Sequence, residues 1–126
     1  MNHKGTHIFL DFVNFNVTRE DLDEACKYVF SLMEDSITYT SMKNKHGKMI
    51  VLKDDTEEGF TSVILLDESH ITAHSYTKIG LLALDVFTCG KTNPKVISDF
   101  IKCGLEHKYP NIKCINHQIN KRFLYE

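Results

Sequence analysis

Residues 59–90 read GFTSVILLDESHITAHSYTKIGLLALDVFTCG. Two β-rich runs, Thr61 to Leu66 and His70 to Tyr76, flank the polar triplet Asp67-Glu68-Ser69. Alternating Val, Ile and Thr on both sides of so short a polar break predict two strands joined by a turn. Leu81 to Thr88 follows as a nearly continuous apolar run, as expected of a buried central strand. Three strands joined by short connections imply a mainly antiparallel sheet.

Working outward, His7 to Phe15 reads as a first strand, and Arg19 to Glu34 as an amphipathic helix with Leu22, Cys26, Val29, Phe30 and Met33 on its apolar side. Thr18 is placed to cap that helix, with Glu20 and Asp21 in its first turn. Ile37 to Met42 alternates and reads as a strand, Lys45-His46-Gly47-Lys48 as a turn, and Met49 to Leu52 as the returning strand. Residues 53–59 form a polar loop. Asn93-Pro94 opens a second helix, with Asn as cap and Pro in the first turn. Val96, Ile97, Phe100, Ile101 and Leu105 give it an apolar face. Tyr109-Pro110 ends it, and Ile112 to Ile119 is the last strand. The expected architecture is an α+β two-layer sandwich in one domain, residues 1–126, with two helices on one face of the sheet. The other face then needs a cover, and a second copy of the chain is the simplest one.

The chain has 126 residues and a net charge of −2. That charge gives no reason to expect nucleic acid or an anionic membrane as partner. The basic residues near the C-terminus (Lys108, Lys113, Lys121, Arg122) alternate with apolar ones and form no stripe. No apolar run reaches the roughly 20 residues of a membrane span. The first residues lack the apolar stretch of a signal peptide, so the cytoplasm is the expected location and the four cysteines are expected as thiols. No Cys-x-x-Cys pair is present, and His70 and His74 lie roughly 13 Å apart if their segment is extended. No metal site is therefore expected.

A serine preceded by a carboxylate in a turn between strands can attack its own peptide bond. Ser69 has that setting, and His74 and Cys89 follow it by five and twenty residues. Glu68-Ser69-His70, then His74, then Phe87-Thr88-Cys89-Gly90, inside this strand pattern, closely resembles the processing and active-site region of the short prokaryotic-type S-adenosylmethionine decarboxylase proenzymes. The resemblance runs from Gly5 to Cys89 and is densest over residues 59–90.

It implies that the chain cleaves itself between Glu68 and Ser69. A β chain of residues 1–68 and an α chain of 69–126 would result, with Ser69 converted to a pyruvoyl group. That group takes the place of pyridoxal phosphate and binds the substrate amine as a Schiff base. In this family the residue matching His74 removes the Cα proton during processing, the hydroxyl matching Thr61 steadies the oxyanion, and the thiol matching Cys89 reprotonates the substrate. Thr61 stands where the family usually has serine. The same resemblance suggests Asp11, in the first strand, near the substrate. An extended chain separates Ser69 from His74 by on the order of 16 Å. His74 and Thr61 are therefore expected to serve the Ser69 of a neighbouring copy, in a homodimer or higher homo-oligomer with interfacial sites.

The departures concern the substrate. Lys78 occupies the position where a glutamate usually grips the ribose, and Tyr76 that of a tryptophan. The adenine-stacking segment is replaced by the acidic run at residues 54–58, leaving Phe60 as the nearby aromatic. S-adenosyl-L-methionine is the expected substrate. L-ornithine and L-arginine, used by relatives with the same chemistry, are the alternatives. A non-catalytic paralogue that activates a true decarboxylase is the reading from another class.

Overall fold

The computed structural model describes residues 4–43, 46–54 and 56–125. The strands are β1 (Thr6–Val13), β2 (His46–Lys53), β3 (Glu58–Leu66), β4 (Ser69–Tyr76), β5 (Leu81–Thr88) and β6 (Lys113–Lys121). The helices are α1 (Leu22–Asp35), entered through a 3-10 turn at Arg19–Asp21, and α2 (Pro94–Lys108). One sheet contains all six strands in the order β2-β3-β4-β5-β1-β6, every pairing antiparallel. Both helices pack on one face, α1 mainly over β3 and β2, α2 over β1 and β5. This is the expected α+β two-layer sandwich.

Alternation along the strands places the core. Ile8, Leu10 and Phe12 of β1, Phe60 and Ile64 of β3, Ile71 and Ala73 of β4, and Leu82, Leu84 and Val86 of β5 are buried under the helices. From above, α1 contributes Leu22, Cys26, Val29 and Met33, and α2 contributes Ile97, Ile101 and Leu105. Burying a side chain of this size stabilises the fold by about 1.5–3 kcal/mol. The opposite face has no covering layer among the described residues. Its central rows mix His74, Thr72, His70, Asp85 and Asp11 with Phe9, Ala83 and Phe87, while Ile50, Leu52, Leu65 and Tyr76 lie exposed toward the β2 side.

Several expectations are corrected. Residues 37–42 are a run of turns and bends, not a strand. The Ser36 hydroxyl donates to the Met33 carbonyl and Thr40 to that of Ile37, giving the backbone local partners instead of a ladder. His46-Gly47-Lys48 belongs to β2, paired with Leu65, Ile64 and Val63; Lys45 of the expected turn lies outside the described residues. Gly47 is tolerated in the strand because the Phe30 ring sits over it, 2.6 Å from where a Cβ would be. Thr18 precedes the 3-10 turn, but its hydroxyl bonds the Asp21 carboxylate and caps no backbone amide. Asn93 caps α2 as expected, accepting from Lys95 N at 3.0 Å. Val96 and Phe100 are exposed on α2 and are not part of its buried face.

Candidate active site

The turn between β3 and β4 has only two residues, since Leu66 pairs with Ser69. Glu68 takes up φ +51° to close it. An L-residue enters that left-handed region at a cost of about 1–2 kcal/mol, and such strain tends to gather at functional positions. The strained residue supplies the carbonyl of the Glu68–Ser69 bond. Its carboxylate is exposed, 4.0 Å from Lys4 Nζ.

Ser69 opens β4 and is 7% exposed. Its Oγ accepts a hydrogen bond of 3.1 Å from the backbone N–H of Cys89. The turn and the end of β5 are thereby brought together, and Cys89 stands beside Ser69 although twenty residues separate them in sequence. Cys89 is half-buried. The loop after it is fixed by the buried Thr88, whose hydroxyl donates to the Thr92 carbonyl at 2.7 Å. Gly90 follows at φ +117°, open to glycine and hardly to any other residue. A hollow of about 550 Å³ opens here, lined by Ser41, Met42, Asp67, Glu68, Cys89 and Lys91.

His74 and Thr61 face each other across β3 and β4, with Thr61 Oγ1 3.2 Å from His74 Nδ1. They are at the other end of the hairpin from Ser69. They are also on the other face: β4 is buried at Ser69, Ile71, Ala73 and Ser75 and more open at His70, Thr72 and His74. His74 therefore faces away from the Ser69 side chain of its own chain. A second hollow, of about 420 Å³, adjoins this pair and is lined by Thr61, His74, Tyr76, Lys78, Glu57 and Glu58 among others. The strand ends beside it pack closely: the Ser75 hydroxyl accepts from Phe60 N at 2.9 Å, and a Cβ on Gly59 would collide with the Ser75 carbonyl oxygen.

Among the suggested substrate contacts, Tyr76 and Lys78 line this second hollow, and Tyr76 is 57% exposed. Phe60 also lines this hollow but presents almost no face to it for stacking. Its side chain is 2% exposed and packs edge-on against Phe15 in the core. Asp11 lies on the open face beside Ala83, which itself pairs with His74, so Asp11, Ala83 and His74 form one cross-strand row. Asn116 donates to Asp11 Oδ2 at 3.1 Å. Sequence reasoning missed Asn116 and Ser75, each of which makes a contact to another strand that no local pattern announces. Asp85 did leave a signal, as a lone carboxylate in the apolar run of β5. Among the described residues no group of three or more His, Cys, Asp or Glu could hold a metal ion, and no helix is long and apolar enough to cross a membrane.

The profile of the family described as S-adenosylmethionine decarboxylase matches residues 6–118. An S-adenosylmethionine decarboxylase proenzyme of Methanococcus aeolicus is 31% identical over 110 residues, covering 81% of this chain and 86% of the relative. One of Thermodesulfovibrio yellowstonii is 28% identical over 109 residues, covering 86% and 76%. The crystal structure of the adenosylmethionine decarboxylase from Aquifex aeolicus superposes with a TM-score of 0.74 over 100% of this chain and 96% of that one, at 24% identity. At that identity the structural match speaks for the fold, while the profile and the sequence relatives extend over both ends of the hairpin and the strands around it. By that extent of sequence and fold, the chain belongs to the S-adenosylmethionine decarboxylase family.

Proposed function

We propose that the chain is a self-cleaving proenzyme whose mature form decarboxylates S-adenosyl-L-methionine. The observation that carries this reading is the Ser69 environment: a left-handed residue on one side of the Glu68–Ser69 bond, and on the other a hydroxyl held by the Cys89 amide. Ser69 Oγ bonds to the Glu68 carbonyl carbon, the C–N bond breaks, and the hydroxyl proton passes to the released amine. Glu68 is then held as an ester, from which its carboxylate departs more easily than from an amide. Removal of the Cα proton of residue 69 breaks the Cβ–Oγ bond and frees Glu68 as a new chain end. The enamine at residue 69 takes up water and loses ammonia, leaving chain 69–126 capped by a pyruvoyl group beside chain 1–68. The residues present fit that origin, since the serine lies at the first position of a strand after a strained turn. The terminal ketone supplies an electron sink for breaking the bond between a substrate's Cα and its carboxylate.

His74, polarised by Thr61, is the base in this reading. It serves the Ser69 of a second copy, because on its own chain it sits at the far end and on the other face of β4. We place a homodimer there, open face against open face, with Ile50, Leu52 and Leu65 as its apolar contacts. Cys89 stands at the reacting residue and delivers the proton that replaces CO2. Tyr76 offers the flat surface for a nucleoside in place of Phe60.

The second reading, L-ornithine or L-arginine, is favoured by Glu57 and Glu58 in the hollow beside His74, and by Lys78 where a ribose-gripping carboxylate would accept hydrogen bonds. Incubation with each of the three candidates, reading CO2 release, decides between them. Release only from ornithine or arginine replaces the first reading with the second. A chain that stays whole by mass spectrometry and traps no hydrazine overturns both.

A further inference from the structure

The open face carries a cluster for which decarboxylation gives no role. His7, Phe87 and His70 form one cross-strand row, since Phe87 pairs with His7 on β1 and with His70 on β4. The His70 ring stacks on Phe87, with centroids 5.7 Å apart and planes 29° from parallel. His7 Nε2 lies 3.0 Å from Asp85 Oδ1. The Arg122 guanidinium lies over Phe87 at 5.6 Å, and a Cβ on Gly5 would come within 2.8 Å of the same ring. Phe87 is thus held from several directions. The cluster also abuts the cleavage point, because His70 follows Ser69 and Phe87 stands two residues before Cys89. The stack on the open face and the Cys89 N–H to Ser69 Oγ bond on the other tie together the same two strand ends.

We infer that His70 is a positioning residue for self-cleavage, whose stack on Phe87 holds the start of β4 against the end of β5 while the imidazole is neutral and loosens when it takes a proton. The inference rests on the reading of Ser69 as the self-cleaving residue. The charged and titratable groups around His70 are Asp85 on β5, His7 on β1, Arg122 after β6, and Asp67 and Glu68 in the adjoining turn, with Lys4 against Glu68. On β3 its cross-strand partner is Leu65, His46 of β2 lies one strand further out, and in the proposed homodimer the second copy's His74 approaches the same end of β4. Burial pushes the His70 imidazole below its ordinary value, His7 adds to that, and Asp85 opposes it. The unfolded chain therefore takes up a proton at a higher pH than the stacked arrangement does. The arrangement is intact above the ordinary histidine range and loses stability as pH falls through about 6.5.

The test follows freshly synthesised precursor by mass spectrometry, as it converts to fragments 1–68 and 69–126, from about pH 5 to about pH 8. His70→Phe keeps a flat ring and removes the proton. It should convert at the wild-type rate near neutrality and slow less than wild type toward acid. His70→Ala loses the stack and should convert about tenfold more slowly or worse throughout. Asp85→Asn should move the acid limb to lower pH, and His7→Gln should move it to higher pH. Thermal melts show which variants are folded, and should His70→Ala fail to fold, the other three decide. The inference is overturned if wild type converts and His70→Ala matches it, or if the acid limb stays in place in Asp85→Asn and His7→Gln. Wild type that never converts sinks the self-cleavage reading itself, and this inference with it.

Discussion

Cys89 and Ser69 share one hydrogen bond but are assigned separate tasks, so substitutions should separate them. Ser69→Ala removes the oxygen that attacks Glu68, and should leave a full-length chain with no CO2 release at all. Cys89→Ala keeps the backbone N–H that holds Ser69 Oγ, and should still yield fragments 1–68 and 69–126. Its turnover should fall by roughly 10²–10⁴-fold, the usual worth of a positioned acid. Single-turnover CO2 release on fully cleaved protein reads the difference, and undiminished turnover would remove Cys89 from the role. Thr61, by contrast, is within hydrogen-bond reach of His74, 3.2 Å away, and in the proposed reading would act through it. Thr61→Ser restores the family's usual residue and should keep cleavage within a few-fold of wild type, while Thr61→Val should slow it by about tenfold or more. Ser69 stood out by its setting, a serine after a carboxylate between two strand-like runs, whereas His74 and Cys89 took their proposed roles from resemblance, since a strand histidine and a buried thiol have ordinary structural explanations. Thr61 was legible only through resemblance, because a threonine in a β-rich strand has an ordinary structural explanation.

Among the elements, the β3–β4 hairpin does most to set the site, and its far end allows a stability test. Gly59 meets the Ser75 backbone so closely that Gly59→Ala must move one strand or the other. A loss of about 1–3 kcal/mol is expected in urea unfolding, with the Thr61–His74 contact disturbed beside it. The end of α2 gives an alkaline counterpart. Burial, with Glu24, Tyr28 and Asp21 nearby, pushes the Tyr109 hydroxyl up to about 12. The unfolded chain releases that proton near 10, so the fold loses stability as pH rises from about 10 toward 12. Tyr109→Phe should flatten the loss, as read by urea melts across that range. The hairpin and α2 were legible because their signals are local: a polar triplet between β-rich runs, and Asn-Pro before an apolar period. Residues 37–42 were not, because β-branched and aromatic residues alternated there while Ser36 and Thr40 turned the backbone on itself. His46-Gly47 misled in the opposite sense. The glycine looked like a turn, and only Phe30 on α1, seventeen residues away, explains it as a close approach.

For the whole molecule, the distribution of the site over both ends and both faces of one hairpin matters more than any single contact. If Ser69 is the reacting serine and His74 the base, as proposed, one chain cannot complete the reaction alone unless the strand is rebuilt, since the two face opposite ways on β4. The separation follows from length along an extended segment; the difference in face comes from the alternation of β4, because the sequence pattern puts Ser69 in the polar triplet between the strands while the structure opens β4 with it. Two inactive chains should therefore repair one another. In a pairing of Ser69→Ala with His74→Ala, one of the two sites combines an intact Ser69 and Cys89 with the intact His74 and Thr61 of the other chain. Expressed separately, both variants should remain whole. Expressed together in equal amounts, random two-fold pairing places about half of the His74→Ala chains opposite a Ser69→Ala chain. Up to that share should appear as fragments, with decarboxylation restored in proportion, and the Ser69→Ala chain should never be cut. Dilution before folding should suppress the repair, since it depends on encounter of two copies. If His74→Ala cleaves alone at the wild-type rate, His74 is not the base. If it stays whole in the mixture while the two chains demonstrably pair, the base and the serine belong to one chain, and the open face has another purpose.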